Sequence, residues 1–154
     1  MFQRRRRPSI NTKGGVAVSV QELGKKLADL KSALREVFCA DLVPPQFRHE
    51  YAGSHDISFG QCVPTALLVN DLFGGEILFG YVDLAGKRRE WHCWNRIDGQ
   101  EVDLTVEQFP KDNRQKQGAR IITRDELFET PHVVQRYNLL KQLLEKRRNG
   151  IKIA

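Results

Sequence analysis

The segment "REWHCWNRIDGQEVDLT" (residues 89–105) constrains the fold more strongly than any other part of this sequence. Asp98-Gly99 suits a two-residue type I′ turn, because both central positions of that turn require a positive φ. The runs on either side are rich in the aromatic and β-branched residues that favour strands. We therefore predict an antiparallel β-hairpin in which Ile97 pairs with Gln100.

This register predicts that a histidine and an aspartate lie side by side on one face of the hairpin. Asp103 falls opposite Trp94, and His92 shares the face of Trp94 because strand side chains alternate. Asp103 is then a diagonal neighbour of His92, at roughly 7–8 Å between backbones, which the two side chains can span. We expect this face to be polar. The opposite face, which we expect in the core, carries Cys93, Ile97, Val102 and Leu104.

A cysteine opens the helix that we predict over residues 62–73. Pro64 is compatible with the first helical turn, where a backbone N–H has no acceptor within the helix. Gly74-Gly75 can end the helix in the left-handed backbone conformation. Cys62 has two interpretations. It is a candidate nucleophile, because helix dipoles stabilise a thiolate at an N-terminus, and it is also a candidate core residue, since a free cysteine packs as a small hydrophobe.

The rest of the chain predicts a single domain over residues 18–150. Residues 1–17 are basic and lack an apolar period, so we interpret them as a flexible tail. Apolar residues every three or four positions predict an amphipathic helix over residues 20–38, capped by Ser19. The run "EILFGYVDL", residues 76–84, predicts a strand.

Two further regions complete the predicted architecture. Residues 42–60 have no periodicity and form a long loop, which in a compact domain is often functional. "RIIT" (residues 120–123) is a short strand, and residues 124–148 form one helix, or two separated near Pro131. The buried side of this last region is marked by Leu127, Val133, Val134, Tyr137, Leu140 and Leu144. The fold class is α+β, with a nucleophile helix packed on a small antiparallel sheet between N-terminal and C-terminal helices.

The net charge of +6 over 154 residues is concentrated near the two ends of the chain. One basic cluster is Arg4–Arg7. The other comprises Lys141, Lys146, Arg147, Arg148 and Lys152. Attraction to nucleic acid or another polyanion is one interpretation. No aromatic residues interleave with the arginine run to stack on bases, which favours a solvated tail and a polar helix face.

Composition also bears on compartment and cofactors. No run approaches the roughly 18–20 apolar residues of a membrane span, and no apolar run follows the basic N-terminus as a secretory signal requires. We expect a cytoplasmic protein without a membrane partner. The irregular spacing of Cys39, Cys62 and Cys93 favours reduced thiols over a disulfide framework or a zinc site, so we expect no metal and no cofactor.

Three motifs together resemble a known pattern. "GQC" at a helix start, "H-x-W" on a strand and "VDLT" after it resemble the transglutaminase-like branch of the papain-fold cysteine enzymes. More closely, "GQCVPTALLVNDLFGGEIL", "HCWNRIDGQEVDLTVEQFP" and "PHVVQRYNLLKQLL" resemble the YunG-like family of small bacterial proteins over roughly residues 58–145. The resemblance implies that Cys62 is the nucleophile, His92 the base and Asp103 the group that orients it.

The chain departs from the papain-like pattern at two positions. Leu104 stands where transglutaminases usually have proline. Asp56 stands six residues before the cysteine, where papain-type enzymes have their oxyanion-hole glutamine. Gln61 is adjacent to the nucleophile instead. The oxyanion would then be held by the Cys62 N–H and a second donor, for which the candidates are Gln61 and the indole N–H groups of Trp91 and Trp94.

The predicted function is acyl chemistry through a Cys-His-Asp triad on an amide- or acyl-bearing substrate, either a protein or a small molecule. Hydrolysis or deamidation is favoured over cross-linking, because no second substrate module is recognisable. Arylamine acetyl transfer uses a similar residue order but requires acetyl-CoA, for which nothing here resembles a site. The alternative from another class is a non-catalytic binding protein on the same fold, with the basic ends engaging polyanions.

Overall fold

The computed structural model describes residues 10–11, 17–84 and 88–150. These residues form a mixed α+β fold. The helices are α1 (Val20–Val37), α2 (Cys62–Phe73), α3 (Arg124–Glu129) and α4 (Val133–Arg148). The strands are β1 (Ile10–Asn11), β2 (Ala17–Val18), β3 (Glu76–Leu84), β4 (Arg88–Ile97), β5 (Gln100–Val102) and β6 (Lys116–Ile122). None of the helices in these ranges combines the length and apolar character needed to cross a membrane.

A four-stranded antiparallel sheet, in the order β5-β4-β3-β6, supports the fold. A separate short ladder joins β1 to β2. The predicted tail at residues 1–17 lies largely outside the described residues. The strand predicted at 76–84 is confirmed as β3, whereas the short strand predicted at 120–123 is the end of the longer β6.

The hairpin has the predicted turn and register but a shorter second strand. Ile97 pairs with Gln100, and both turn residues have positive φ, 50° at Asp98 and 76° at Gly99. The ladder ends at Val102, so the expected extension of this strand to residue 105 is wrong. Asp103 ends the strand because its Oδ1 accepts a hydrogen bond from the Thr105 N–H at 3.2 Å, which turns the chain away from the sheet.

The face predicted to be polar is in fact buried around His92 and Trp94, which are each only 1% exposed, whereas Glu101 on the same face is exposed. The segment after the hairpin folds back over them, and Phe109 meets the His92 ring edge-on at 4.8 Å between centroids. The opposite face, with Cys93 and Ile97, lies in the core as predicted. β4 is therefore covered on both faces, although it belongs to an antiparallel sheet.

Helix α2 crosses the middle of the domain. It packs against β4 on one side and α4 on the other, and most of its side chains are buried. The buried amide of Asn95 donates to the Ala66 carbonyl at 2.9 Å, which ties the helix to the strand next to it. Gly74 and Gly75 end the helix with φ of 72° and 76°, as predicted. The first residue of the helix, Cys62, is thereby held in a fixed position.

The terminal helices differ from the sequence-based expectation at one position. The break near Pro131 is confirmed, because α3 and α4 are separate helices. Val134, however, was expected to be buried and is 43% exposed. The buried stripe of α4 instead runs through Val133, Arg136, Tyr137 and Leu140. An arginine thus occupies a core-facing position of this helix.

Gly80 is placed where the sheet tolerates no side chain. It lies directly opposite His92 in the β3–β4 ladder, and a Cβ there would stand 2.6 Å from the Gln117 carbonyl and 2.9 Å from the Trp94 indole. We expect Gly80→Ala to lower the free energy of unfolding by about 1–3 kcal/mol, the usual cost of overpacking. Gly53→Ala is the control, because a Cβ at that position meets nothing within 4 Å. Equal denaturation midpoints for the two variants would contradict this prediction.

Candidate active site

The site contains a hydrogen-bonded pair of buried side chains, one from a histidine and one from an aspartate. The His92 Nε2 lies 2.8 Å from the Asp103 Oδ2, and both side chains are almost fully shielded from solvent. The same carboxylate oxygen is 3.0 Å from the Lys116 ammonium. The Thr105 N–H donates to the other oxygen. The carboxylate is therefore fixed from three directions, and it fixes the orientation of the imidazole ring.

The thiol of Cys62 lies close enough to the same ring to influence its charge. Cys62 is half-buried, at the first position of α2. The Asp103 carboxylate occupies Nε2, which leaves Nδ1 as the ring nitrogen that can face the thiol. The structure thus brings together the three residues that the sequence singled out, from α2, β4 and the turn after β5.

The electrostatics of this group favour a charged imidazole. Burial alone would lower the pKa of His92, but the hydrogen bond to Asp103 and the nearby sulfur of Cys62 outweigh burial and raise the pKa to about 9. Burial likewise would raise the pKa of Asp103, yet the hydrogen bond from His92 and the charge of Lys116 lower it. At neutral pH the site holds an imidazolium beside a carboxylate.

Aromatic rings enclose the imidazole on two sides. The Trp94 indole stacks on it at 5.7 Å between centroids with an interplanar angle of 13°, and Phe109 contacts it edge-on. These rings keep water away from the hydrogen bond between His92 and Asp103, which strengthens it. The Trp94 Nε1 is buried without a hydrogen-bond partner, and Trp94 is absent from the residues that line the cleft described next.

A cleft of about 310 Å³ opens beside the thiol. Cys62, His92 and Gln108 contribute polar atoms to it. Its apolar walls are formed by Pro44, Phe47, Phe59, Val63, Phe79 and Trp91. Charged side chains also contribute, namely Glu50, Arg88, Arg89, Glu90 and Arg136. The cleft is large enough for a small acyl group or for the side chain of a peptide.

Two of the candidate oxyanion donors, Gln61 and Trp91, have very different surroundings. Gln61 is fully buried, where its amide donates to the Ile57 carbonyl at 2.6 Å and its carbonyl accepts from the Cys39 N–H at 3.2 Å. It therefore holds the loop that precedes the thiol. Trp91 lines the cleft, is 63% exposed and stacks on Phe79 at 5.3 Å.

Asp56, at the position of the papain-type glutamine, has a structural partner. Both its oxygens accept hydrogen bonds from the Arg35 guanidinium, at 2.9 and 3.0 Å, and the Ser58 hydroxyl donates to it at 2.7 Å. These hydrogen bonds hold the pKa of the carboxyl well below its usual range, although burial opposes the shift. Asp56 is thus an acceptor that anchors the loop to α1, and it has no proton to donate to an oxyanion.

A sequence model of the YunG protein family matches residues 26–149. The chain belongs to the YunG family. It is 46% identical over 52 residues to the "Uncharacterized protein YunG" of Bacillus subtilis (strain 168), a stretch that covers 34% of this chain and 41% of that relative. The matched stretch thus spans about two fifths of the relative. No solved structure matches the chain.

In this YunG-family chain the start of α2 offers unpaired backbone donors. The N–H groups of Cys62 and Val63 have no acceptor among the described residues, and Pro64 has no N–H. Gln61, the residue before the helix, provides no side-chain cap. Free N–H groups at a helix N-terminus attract negative charge, so this end of α2 is suited to a developing oxyanion next to the sulfur.

Of the other two cysteines of this YunG-family chain, Cys93 is buried and Cys39 is half-buried. Cys39, Cys62 and Cys93 are all free thiols. Burial raises the pKa of the Cys93 thiol well above its usual value, so it stays protonated. Over residues 10–11, 17–84 and 88–150, no group of three His, Cys, Asp or Glu side chains is arranged to hold a metal ion.

Sequence reasoning missed two polar residues of the site. Gln108 follows the hairpin in a segment without apolar periodicity, yet its amide donates to the Thr105 carbonyl at 3.1 Å and lies 3.5 Å from the His92 Nδ1. No spacing rule in the sequence indicates this contact. Arg136 had a signal, because it lies three residues after Val133 and four before Leu140, on the apolar stripe of α4.

Proposed function

We propose that this chain is a cysteine-dependent acyl hydrolase of the amidase, peptidase or deamidase type. The observation that carries the proposal is the hydrogen bond between the His92 imidazole and the Asp103 carboxylate, with the Cys62 thiol close to that ring and lining the same cleft. A nucleophile needs a base nearby, and the base needs a third group to orient it. The placement of these three side chains supports that assignment of roles.

The arrangement also supports a papain- or transglutaminase-like core. Along the chain, a cysteine begins a helix that packs on an antiparallel sheet, a histidine follows on a strand, and an aspartate follows the next strand. The transglutaminase-like pattern has the same order. The likeness concerns the order of the three proposed catalytic residues and the elements that carry them. Fold and triad do not select a substrate.

In the first half of the proposed reaction, the sulfur of Cys62 attacks a carbonyl carbon while His92 carries the proton of the thiol. A carbon–sulfur bond forms, and the electron pair of the carbonyl moves to its oxygen. The Cys62 and Val63 N–H groups stabilise that oxyanion. His92 then gives its proton to the leaving group, whose bond to carbon breaks, and an acyl thioester of Cys62 remains.

In the second half, water hydrolyses the thioester. His92, now neutral, takes a proton from the attacking water, the carbon–sulfur bond breaks and His92 returns that proton to the sulfur. One water is consumed for each acyl group released as an acid. Asp103 keeps its negative charge throughout and stabilises the imidazolium each time it forms.

Selective alkylation of the thiol tests the proposal. At pH 6, iodoacetamide should modify Cys62 at least about tenfold faster than Cys39, because Cys62, unlike Cys39, lies near an imidazole that is protonated at that pH. The measurement is the rate of label appearance in each cysteine-containing peptide by mass spectrometry. Cys62→Ala should remove the fast label and leave labelling of Cys39 unchanged.

Two results would contradict the proposal. One is equal labelling of Cys39 and Cys62 in the folded protein. The other is a fast label that survives in Cys62→Ala, because the reactive thiol would then be elsewhere. A protein that only binds its partner has no need of an activated thiol, so either result would favour the non-catalytic alternative.

A further inference from the structure

The guanidinium of Arg136 is buried beside the proposed nucleophile. Its side chain comes from the core-facing stripe of α4, is only 4% exposed and lines the same cleft as Cys62. The two groups interact electrostatically across the cleft. Arginine is almost never buried in a protein without a partner for its charge.

Arg136 has no such partner in the part of the chain that the structure describes. Its Nη1 donates to the Leu42 carbonyl at 3.1 Å, and its Nε is fully buried without any hydrogen-bond partner. No carboxylate among the described residues contacts it. Burial and the like charge of Arg48 lower the pKa of Arg136, whereas negative charge on the Cys62 sulfur opposes that shift.

The other cationic groups of the cleft are already neutralised. Arg88 pairs with Glu90 at 2.7 Å and approaches Glu50 at 3.9 Å. Arg89 lies 3.6 Å from Asp83. Arg136 therefore supplies one uncompensated positive charge at the inner side of a cleft with apolar walls. One charge of this kind matches a monoanion better than it matches a phosphate dianion.

We infer that Arg136 binds a carboxylate carried by the substrate, close to the carbonyl that Cys62 attacks. A guanidinium can present two parallel donors to a carboxylate, and in Arg136 Nη1 is bonded to the Leu42 carbonyl whereas Nε has no hydrogen-bond partner among the described residues. The inference rests on the proposed function, because it names the substrate class of the same site. That class is a small acyl compound, or the end of a peptide, with a free carboxylate near the scissile bond.

A different role for Arg136 would be to stabilise the thiolate of Cys62. Paired reagents separate the two roles. Iodoacetate and 3-iodopropionate carry a carboxylate, whereas their amides have nearly the same size and the same leaving group without the charge. If Arg136 only stabilises the thiolate, its removal changes the rates of the acid and the amide equally. If Arg136 binds a carboxylate, its removal slows the acid but not the amide, so the ratio of the acid rate to the amide rate falls.

The test compares these rate ratios for Cys62 in wild type and in Arg136→Gln, at pH 7 and physiological salt. We expect the substitution to lower the ratio by about tenfold or more for at least one reagent length, because a hydrogen bond between charged groups contributes that much. Arg147→Gln is the matched control. It removes the same charge from the same helix, but from a group that already has Glu36 as its carboxylate partner and does not line the cleft, so its ratio should stay within about twofold of wild type.

The outcomes separate this inference from the proposed function. A wild-type Cys62 that reacts no faster than Cys39 overturns the proposed function. A fast Cys62 whose ratios are the same in wild type and Arg136→Gln overturns the carboxylate site alone. Should Arg136→Gln not fold, protection of wild-type Cys62 from iodoacetamide decides. Benzoate should protect at a concentration about tenfold below that of benzamide, and equal protection by the two compounds would overturn the site.

Discussion

His92→Gln should reduce the rate at which iodoacetamide modifies Cys62 at pH 6 by about a hundredfold. In wild type the imidazole near the Cys62 sulfur has a pKa of about 9, so it is positively charged at that pH and can stabilise a thiolate. Glutamine carries no charge, and a positioned acid–base partner typically contributes about 10²–10⁴-fold. The measurement is the pseudo-first-order rate of label incorporation at Cys62.

Glutamine is chosen because its amide can still donate to the Asp103 carboxylate. That carboxylate also keeps its ion pair with Lys116 at 3.0 Å, so the variant leaves no buried charge without a partner. Labelling of Cys39 in the same sample is the internal control, and it should not change. A His92→Gln rate within about threefold of wild type would show that the imidazole does not activate the thiol.

Asp103→Asn should lower the pKa of His92 and slow the alkylation of Cys62. In wild type His92 stays charged up to about pH 9. Asparagine can still accept the hydrogen bond from Nε2, but it removes the negative charge that stabilises the imidazolium. Burial then dominates and lowers the pKa of His92. The positive charge beside the sulfur is then lost at neutral pH, and the labelling rate of Cys62 should fall by about tenfold or more.

A titration of the His92 ring by NMR measures the cause directly. The midpoint should move from about 9 in wild type to a lower pH in Asp103→Asn. Lys116→Gln is the control, because Lys116 contacts the same carboxylate but removes a positive charge instead of a negative one. Its His92 midpoint should not fall. An unchanged midpoint in Asp103→Asn would show that the carboxylate does not set the charge of the ring.

The sequence contained enough local information to predict the hairpin and the helix that begins at Cys62. Turn chemistry at Asp98-Gly99 set the register, and the alternation of strand side chains then placed His92 near Asp103. Both features depend on neighbours in the chain. His92 and Asp103 are in contact even though Asp103 lies just beyond the ladder, because a turn after β5 keeps the Asp103 carboxylate beside the sheet.

The parts that the sequence did not predict depend on contacts between distant segments. His92 was expected on a polar face, but Phe109 and Gln108 come from a segment without periodicity that folds over it. Val134 was expected to be buried because it is apolar. The helix instead turns Arg136 inward, where it bonds to the Leu42 carbonyl. Tertiary packing decided each of these cases against local preference.

The hydrogen bond from Arg136 to the Leu42 carbonyl joins residues that are 94 positions apart, and α4 packs along α2. During translation, Cys62 and the hairpin emerge long before α4 has been synthesised. Until α4 docks, the part of the cleft wall that Arg136 forms is missing. The Cys62 thiol therefore acquires its complete surroundings only when this helix has packed against α2.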